Sequence, residues 1–403
     1  MVKAAFIVAR GQNGLRPVFG VPAVRRLVLA ARRLGLDGVH VLGRDRSLRQ
    51  VLSDLIPADA IHLIADTSTI GAITDKVGLI KGDRVLVMRA DHVIDRWSLQ
   101  KLLEAGDRNE GAYWSYDGKG GEDPPGEPVY VVKSDQLVHL LGTMWSDAPS
   151  AFAAGAEMER VRIASGLPVL MGDGREGTRG AEASLLRALG VATAQTDSLM
   201  SRSIHRPISR FISRRLAKTP VTPNGVTLFT LIVGLAGAFF LGTGSYAMQV
   251  LGSLLFLAST ILDGVDGEVA RLTLRETVSG HYFDIVGDNV VHVAIFLGIA
   301  LGLSRTAQDP VYLEALGFLL IGFGLCALTV HRLMGHGPEE QGSAEAPWLA
   351  GLLVNRDFAY LVVLLALAGR LDWFLFATTV GVYVFALVLF LFDIRRRGRR
   401  ANA

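Results

Sequence analysis

The sequence predicts an α/β sheet domain followed by an all-α polytopic membrane domain, and three observations predict it. Apolar residues make up 50% of the 403-residue chain and its mean hydropathy is +0.36, both high for a soluble globule. That excess is confined: residues 1–200 mix short apolar runs with polar segments, whereas long apolar runs dominate from about 224 onward. Within the apolar half stands Asp263-x-x-Asp266-Gly267-x-x-Ala270-Arg271, then eight residues, then Gly280-x-x-x-Asp284-x-x-x-Asp288. The length accommodates two domains. A formal net charge of +3 leaves no electrostatic footprint for nucleic acid. The one cysteine, Cys326, sits in an apolar run and forms no intrachain disulfide, which fits a reducing compartment for the soluble half.

The first half alternates strand and helix patterns. Apolar runs at 3–9, 38–42, 84–88 and 129–133 read as strands, and helical periodicity falls at 22–35, 97–105, 134–142 and 179–190. The opening MVKAAFIVARG lacks the apolar length and cleavage pattern of a signal peptide and reads as a first buried strand. A glycine-rich turn follows it, with Gly11, Gly14 and Arg16. Such a turn between strand and helix can cradle phosphates. The expected division is 1–195 for this domain, 196–222 for a juxtamembrane helix and linker, and 223–403 for the membrane domain.

Six spans are expected, at 224–243, 247–266, 281–304, 311–333, 357–370 and 373–394. The fifth is short and interrupted near Gly369-Arg370. Arg271, Arg275, Arg332, Arg356 and the tail arginines 395–397, 399 and 400 fall on one side, against Arg305 and Arg370 on the other. By the positive-inside rule both termini, the soluble domain and the aspartates face the cytoplasm of a cell (inner) membrane. Ahead of the first span, Ile204, Ile208, Phe211, Ile212 and Leu216 recur at helical spacing among Arg206, Arg210, Arg214 and Arg215. An amphipathic basic helix of this kind suits an anionic bilayer surface, and a solvated linker helix is the alternative. Pro223 opens the first span, with Asn224 and Thr227 as candidate caps.

The aspartates carry the chemistry. Asp263 and Asp266 are three apart and Asp284 and Asp288 four apart, so each pair shares a helix face. Carboxylates at membrane depth mark a functional site by default. Two helices side by side would converge four carboxylates, and hard divalent cations, Mg²⁺ or Mn²⁺, are their natural partners. The alternative makes them ordinary N-cap and loop aspartates, which leaves the flanking apolar helices unexplained.

These residues match the signature of the CDP-alcohol phosphotransferases, integral-membrane enzymes, which the chain resembles in its second half. The resemblance implies attack of an alcohol on the β-phosphorus of a CDP-alcohol with release of CMP. It implies two divalent ions held by Asp263, Asp266, Asp284 and Asp288, with Asp288 as general base. It places CDP at Asn224, Thr227, Asp263, Gly267, Ala270 and Arg271. Gly267 and Ala270 let phosphate or cytidine approach the backbone, and Arg271 binds pyrophosphate or serves the positive-inside rule alone. Arg275, His331, Arg332 and Arg356 are candidates for an acceptor phosphate, since arginine can contact two oxygens at once. A homodimer through the membrane domain is implied on the same ground.

The glycine-rich turn, with Asp91 at the end of the 84–88 strand, resembles the sugar-phosphate nucleotidyltransferases, so the first domain is expected to be nucleotidyltransferase-like (Rossmann-like). Its departures predict a degenerate nucleotide site at Gly11, Gly14, Arg16 and Asp91. Pro17-Val18 stands where that family has Pro-Lys, and only Asp173 or Glu182 lies near the position of a second metal carboxylate. The fusion looks like bifunctional enzymes that make CDP-inositol and join it to inositol phosphate. A phosphatidyltransferase using CDP-diacylglycerol in phospholipid biosynthesis is the alternative. A non-catalytic nucleotide-binding membrane scaffold is the alternative from another class. A transporter fits less well, because the halves show no internal repeat.

Overall fold

The computed structural model describes residues 2–108, 112–114, 129–145, 159–161, 169–193, 197, 200–334 and 358–401. The chain divides into two compact units. One is Met1–Gln195 with Arg214–Pro220 and Arg271–Leu274; the other is Thr196–Ser213, Val221–Ala270 and Arg275–Ala403.

In the first unit, the described residues form a mixed seven-stranded sheet and two small two-stranded ones. The strands of the large sheet are β1 (Val2–Ala9), β2 (Gly38–Gly43), β3 (Ile61–Leu63), β4 (Arg84–Arg89), β5 (Ala112–Trp114), β6 (Val129–Lys133) and β7 (Glu159–Val161). Their order is β7-β5-β6-β4-β1-β2-β3. β3, β2, β1 and β4 run parallel, and β6 is antiparallel to both β4 and β5. The helices are α1 (Ala23–Arg33), α2 (Ser47–Leu52), α3 (Ile70–Lys76), α4 (Arg96–Arg108), α5 (Ser134–Trp145) and α6 (Gly174–Thr193). β1 is apolar from Ala4 to Ala9 because both its faces are covered there. Ala5, Ile7 and Ala9 join Leu27, Val28, Leu99 and Leu102 from α1 and α4. Ala4, Phe6 and Val8 join Ile70, Ile73, Leu137 and Leu140 from α3 and α5. The chain leaves β1 for β2 on one side and later lays β4 on the other, so the glycine turn sits at a switch point of the sheet. There a Cβ on Gly14 would lie 2.6 Å from that of Ala90, so only glycine lets the turn close over β4.

The C-terminal half is helical: α7 (Arg206–Leu216), α8 (Pro223–Leu241), α9 (Tyr246–Thr273), α10 (Val278–Ala307), α11 (Val311–Met334), α12 (Phe358–Leu367) and α13 (Leu371–Ala401). Among the described residues five helices are long and apolar enough to cross a bilayer: α8, α9, α10, α11 over Val311–Thr329 and α13 over Leu371–Leu391. The fifth expected span is α12, a helix of 10 residues. At about 1.5 Å per residue it reaches about half the thickness of a hydrocarbon core. Gly369, at φ +64°, turns the chain out of it.

Close packing sets the bundle. A Cβ at Gly298 of α10 would lie 2.3 Å from the Ala238 carbonyl oxygen of α8, and one at Gly302 2.1 Å from that of Leu241. Backbones approach this closely only where side chains are missing, as at small-residue interfaces of membrane helices. Arg305 donates to the Gly242 carbonyl at 2.6 Å, covering the C-terminal end of α8. Gly298→Ala should therefore destabilise the fold by about 1–3 kcal/mol, read as a lowered unfolding midpoint in detergent. Gly317→Ala, where a Cβ meets nothing within 4 Å, is the control. Equal midpoints for the two variants would refute this account of the crossing.

Candidate active site

The site is built where α9 ends and α10 begins. α9 runs past its apolar stretch to Thr273, the chain reverses through Leu274 at φ +56°, and Thr277 starts α10 by accepting from the Gly280 N–H at 3.0 Å. This reversal lays the two aspartate pairs side by side. Asp263, Asp284 and Asp288 each offer a carboxylate oxygen within 4.8 Å of the others. Asp266, buried, lies within hydrogen-bonding reach of Asp284. It accepts from the Thr227 hydroxyl of α8 and from the Gly267 N–H at 2.5 Å. Three oxygen donors from two helices, with a fourth carboxylate alongside, match what a hard divalent ion requires. The residues present fit such an ion.

The Pro-Asn-x-x-Thr entry does something other than expected. Neither Asn224 nor Thr227 caps α8. Thr222 does, its hydroxyl accepting from the Gly225 N–H at 3.2 Å with Pro223 at the first helical position. Thr227 is free for Asp266 because the cap lies five residues earlier. Asn224 faces the first turn of α10: a Cβ on Gly280 would come within 2.9 Å of its Oδ1. That contact makes Gly280 a close-packing position between the two helices.

The remaining candidates divide. Gly267 and Ala270 are half-buried on the same stripe of α9 as Asp263 and Asp266. Arg271 and Arg275 are exposed, at the end of α9 and in the turn after it. His331 and Arg332 fall in the last turn of α11, and Arg356 lies outside the described residues.

One residue escaped the sequence reading. Glu268 is 2% exposed and accepts from Ser209 at 2.8 Å, Ser213 at 2.8 Å and Arg206 at 3.2 Å, all on α7. Arg206 also makes two 2.8 Å bonds to Asp197, which raise its guanidinium above the ordinary value. The signal was present: Arg206, Ser209 and Ser213 form a polar stripe on an otherwise amphipathic basic helix. It reads as solvated surface until a buried partner is known.

In the α/β unit Gly14 lies against Ala90, the chain neighbour of Asp91. Gly11 borders a cleft of about 490 Å³ with Arg10, Arg44 and Arg46. Arg16 borders a different one of about 380 Å³ with Arg175, Arg179 and Lys218. Asp91 is held by Arg89 through bonds of 2.9 and 2.8 Å. Of the two candidates for a second carboxylate, Asp173 accepts from Asn13 at 2.8 Å and Glu182 pairs with Lys218 at 2.5 Å.

Comparison with known proteins places this geometry. Residues 220–398 match the family model for CDP-alcohol phosphatidyltransferase. A "Bifunctional IPC transferase and DIPP synthase" from Thermococcus kodakarensis is 27% identical over 59% of this chain and 54% of its own length. The chain thus spans about half of that relative. An "Archaetidylinositol phosphate synthase" from Pyrococcus horikoshii is 25% identical over 48% of this chain and 90% of its own. A solved 4-diphosphocytidyl-2C-methyl-D-erythritol synthase aligns with 46% of this chain and 100% of itself, at 11% identity and a TM-score of 0.35. The description of the α/β unit rests on its own strand order. Residues 220–398, which carry the paired aspartates on α9 and α10, are thus similar to the CDP-alcohol phosphatidyltransferases, and several of their helices are apolar enough to cross a membrane.

Proposed function

We propose that the chain is a divalent-metal-dependent CDP-alcohol phosphotransferase that moves a substituted phosphate from a CDP-linked alcohol to a second alcohol and releases CMP. The observation that carries this is the convergence of Asp263, Asp284 and Asp288 within 4.8 Å, with Asp266 held beside them by Thr227. Asp263, Asp266, Asp284 and Asp288 hold Mg²⁺ or Mn²⁺, two ions in this reading. A bound ion would neutralise the pyrophosphate and the departing CMP.

The chain's own residues supply the rest. Asp288 takes the proton of the attacking hydroxyl. The alcohol oxygen then bonds to the β-phosphorus and the anhydride bond to CMP breaks. Asn224, Thr227, Gly267 and Ala270 line the CDP, and Arg271 holds its non-reacting phosphate oxygens. Arg275, His331, Arg332 and Arg356 receive the phosphate of an acceptor such as inositol phosphate. The donor in this reading is CDP-inositol, supported by similarity to a protein named as an IPC transferase and DIPP synthase. Similarity to an archaetidylinositol phosphate synthase, over nine-tenths of that protein, favours a second reading with a CDP-linked lipid donor.

Topology follows the same reading. Both termini and the site face the cytoplasm, and the chain works as a homodimer through the membrane domain. α7 lies at the inner leaflet: Ile208 and Phe211 are exposed while Ser209 and Ser213 are buried, the inverse of a helix in water. The α/β unit keeps a nucleotidyltransferase-like fold without its chemistry. Arg89 on Asp91 and Lys218 on Glu182 support this, because each neutralises a carboxylate that a metal would need.

Three outcomes test the proposal. Purified protein with Mg²⁺ or Mn²⁺ should release CMP from CDP-inositol in the presence of inositol phosphate. Release from CDP-diacylglycerol alone would select the lipid reading, and release from neither would end both. Asp288→Asn should lower turnover by about 10²–10⁴-fold while Mn²⁺ still binds; unchanged turnover would favour a non-catalytic scaffold. Finally, CTP with inositol phosphate should yield no pyrophosphate, and yield at the rate of CMP release would show an active first domain.

A further inference from the structure

We infer that Glu268 is a positioning residue that sets the rotation of the catalytic segment of α9 by gripping the juxtamembrane helix α7. This deepens the proposed transfer reaction and rests on it. On a helix with 100° per residue, Asp263, Asp266, Gly267 and Ala270 form one stripe, and Glu268 projects 200° away from Asp266. Gly264 stands one turn before Glu268 on this second stripe. A Cβ there would lie 3.5 Å from Arg206 Nη1 and 3.8 Å from Ser209 Cβ, so α7 seats directly against α9. The end of α9 is therefore held from two sides. Thr227 of α8 holds Asp266, and three groups of α7 hold Glu268.

The chemistry of the grip argues for placement over mere cohesion. A buried carboxylate with two hydroxyls and a guanidinium contributes little that well-packed apolar side chains would not. Hydrogen bonds from fixed donors, however, have direction. Ser209 and Ser213 bond different oxygens of the carboxylate, Oε1 and Oε2, so they define the plane of Glu268 and with it the azimuth of the helix. Arg206 cannot drift with them, because Asp197 holds its other edge. Misplacing reacting groups by about 1 Å can cost on the order of 100-fold in rate.

The test uses the full-length chain in lipid nanodiscs, with Mn²⁺ binding followed by electron paramagnetic resonance and donor kinetics followed by CMP release. Glu268→Ala and the double variant Ser209→Ala/Ser213→Ala should each weaken Mn²⁺ binding and raise the donor KM by on the order of tenfold, as for groups that orient metal ligands. Combining them should add little further, as expected of one interaction removed twice. Glu268→Gln keeps an oxygen for a serine and should stay within about threefold of wild type. Unchanged Mn²⁺ affinity and KM in folded Glu268→Ala, or a lower melting temperature alone, would overturn the inference. If Glu268→Ala does not fold, the serine pair decides it in the same way. If wild type binds Mn²⁺ but releases CMP from no donor, the transfer reading fails separately, and the Mn²⁺ affinities still judge the grip.

Discussion

Carboxylates crowded together at the end of membrane helices are an electrostatic problem before they are a catalyst. Two like charges about 4 Å apart repel by about 4 kcal/mol at an effective dielectric of about 20. Asp263, Asp284 and Asp288 are brought within that range from two helices, with Asp266 beside them. Such a group persists only if something stronger holds the helices together and something positive enters the space between. The glycine contacts of α8 with α10 answer the first need, since they lock the bundle through backbone proximity rather than through the acids. The fit to a divalent ion answers the second.

Once that constraint is accepted, the surrounding polar contacts form a coherent scheme. Thr222 takes over the capping of α8 so that Thr227 can hold Asp266. Thr277 caps α10 and leaves Gly280 close against Asn224. The cap of α8 falls to Thr222 and not to Asn224 or Thr227. Glu268 extends the scheme to α7, whose polar side faces inward and whose apolar side faces outward. In a soluble protein that inversion would be costly. At a bilayer surface it is the arrangement that exposes apolar side chains to lipid.

The α/β unit separates backbone architecture from side-chain detail. Its central strands, switch point and glycine turn form as a nucleotide-binding sheet would. Arg89 and Lys218, however, occupy the carboxylates, while Gly11 and Arg16 border separate clefts. Backbone architecture depends on apolar periodicity spread over many residues. A metal site depends on only two or three side chains.

The same difference in scale explains what could be read from the chain. β1, β2, β4 and β6, and helices α1, α4, α5 and α6, were legible because each repeats its apolar period several times. β3, β5 and β7, of three residues each, are too short to carry a period. α12 was legible as a short apolar run interrupted near Gly369, and the structure adds the backbone angle that turns the chain there. The aspartates were legible because helical spacing converts sequence separation into direction. What the sequence by itself determined was the local order: which segments are apolar, which side of a helix each acid occupies, and that two acid-bearing helices are consecutive. Only the tertiary structure decided the partners, with Thr227 on Asp266, α7 on Glu268 and Lys218 on Glu182. Hydrogen bonds act over about 3 Å, and most of these partners are brought that close only by how distant segments pack.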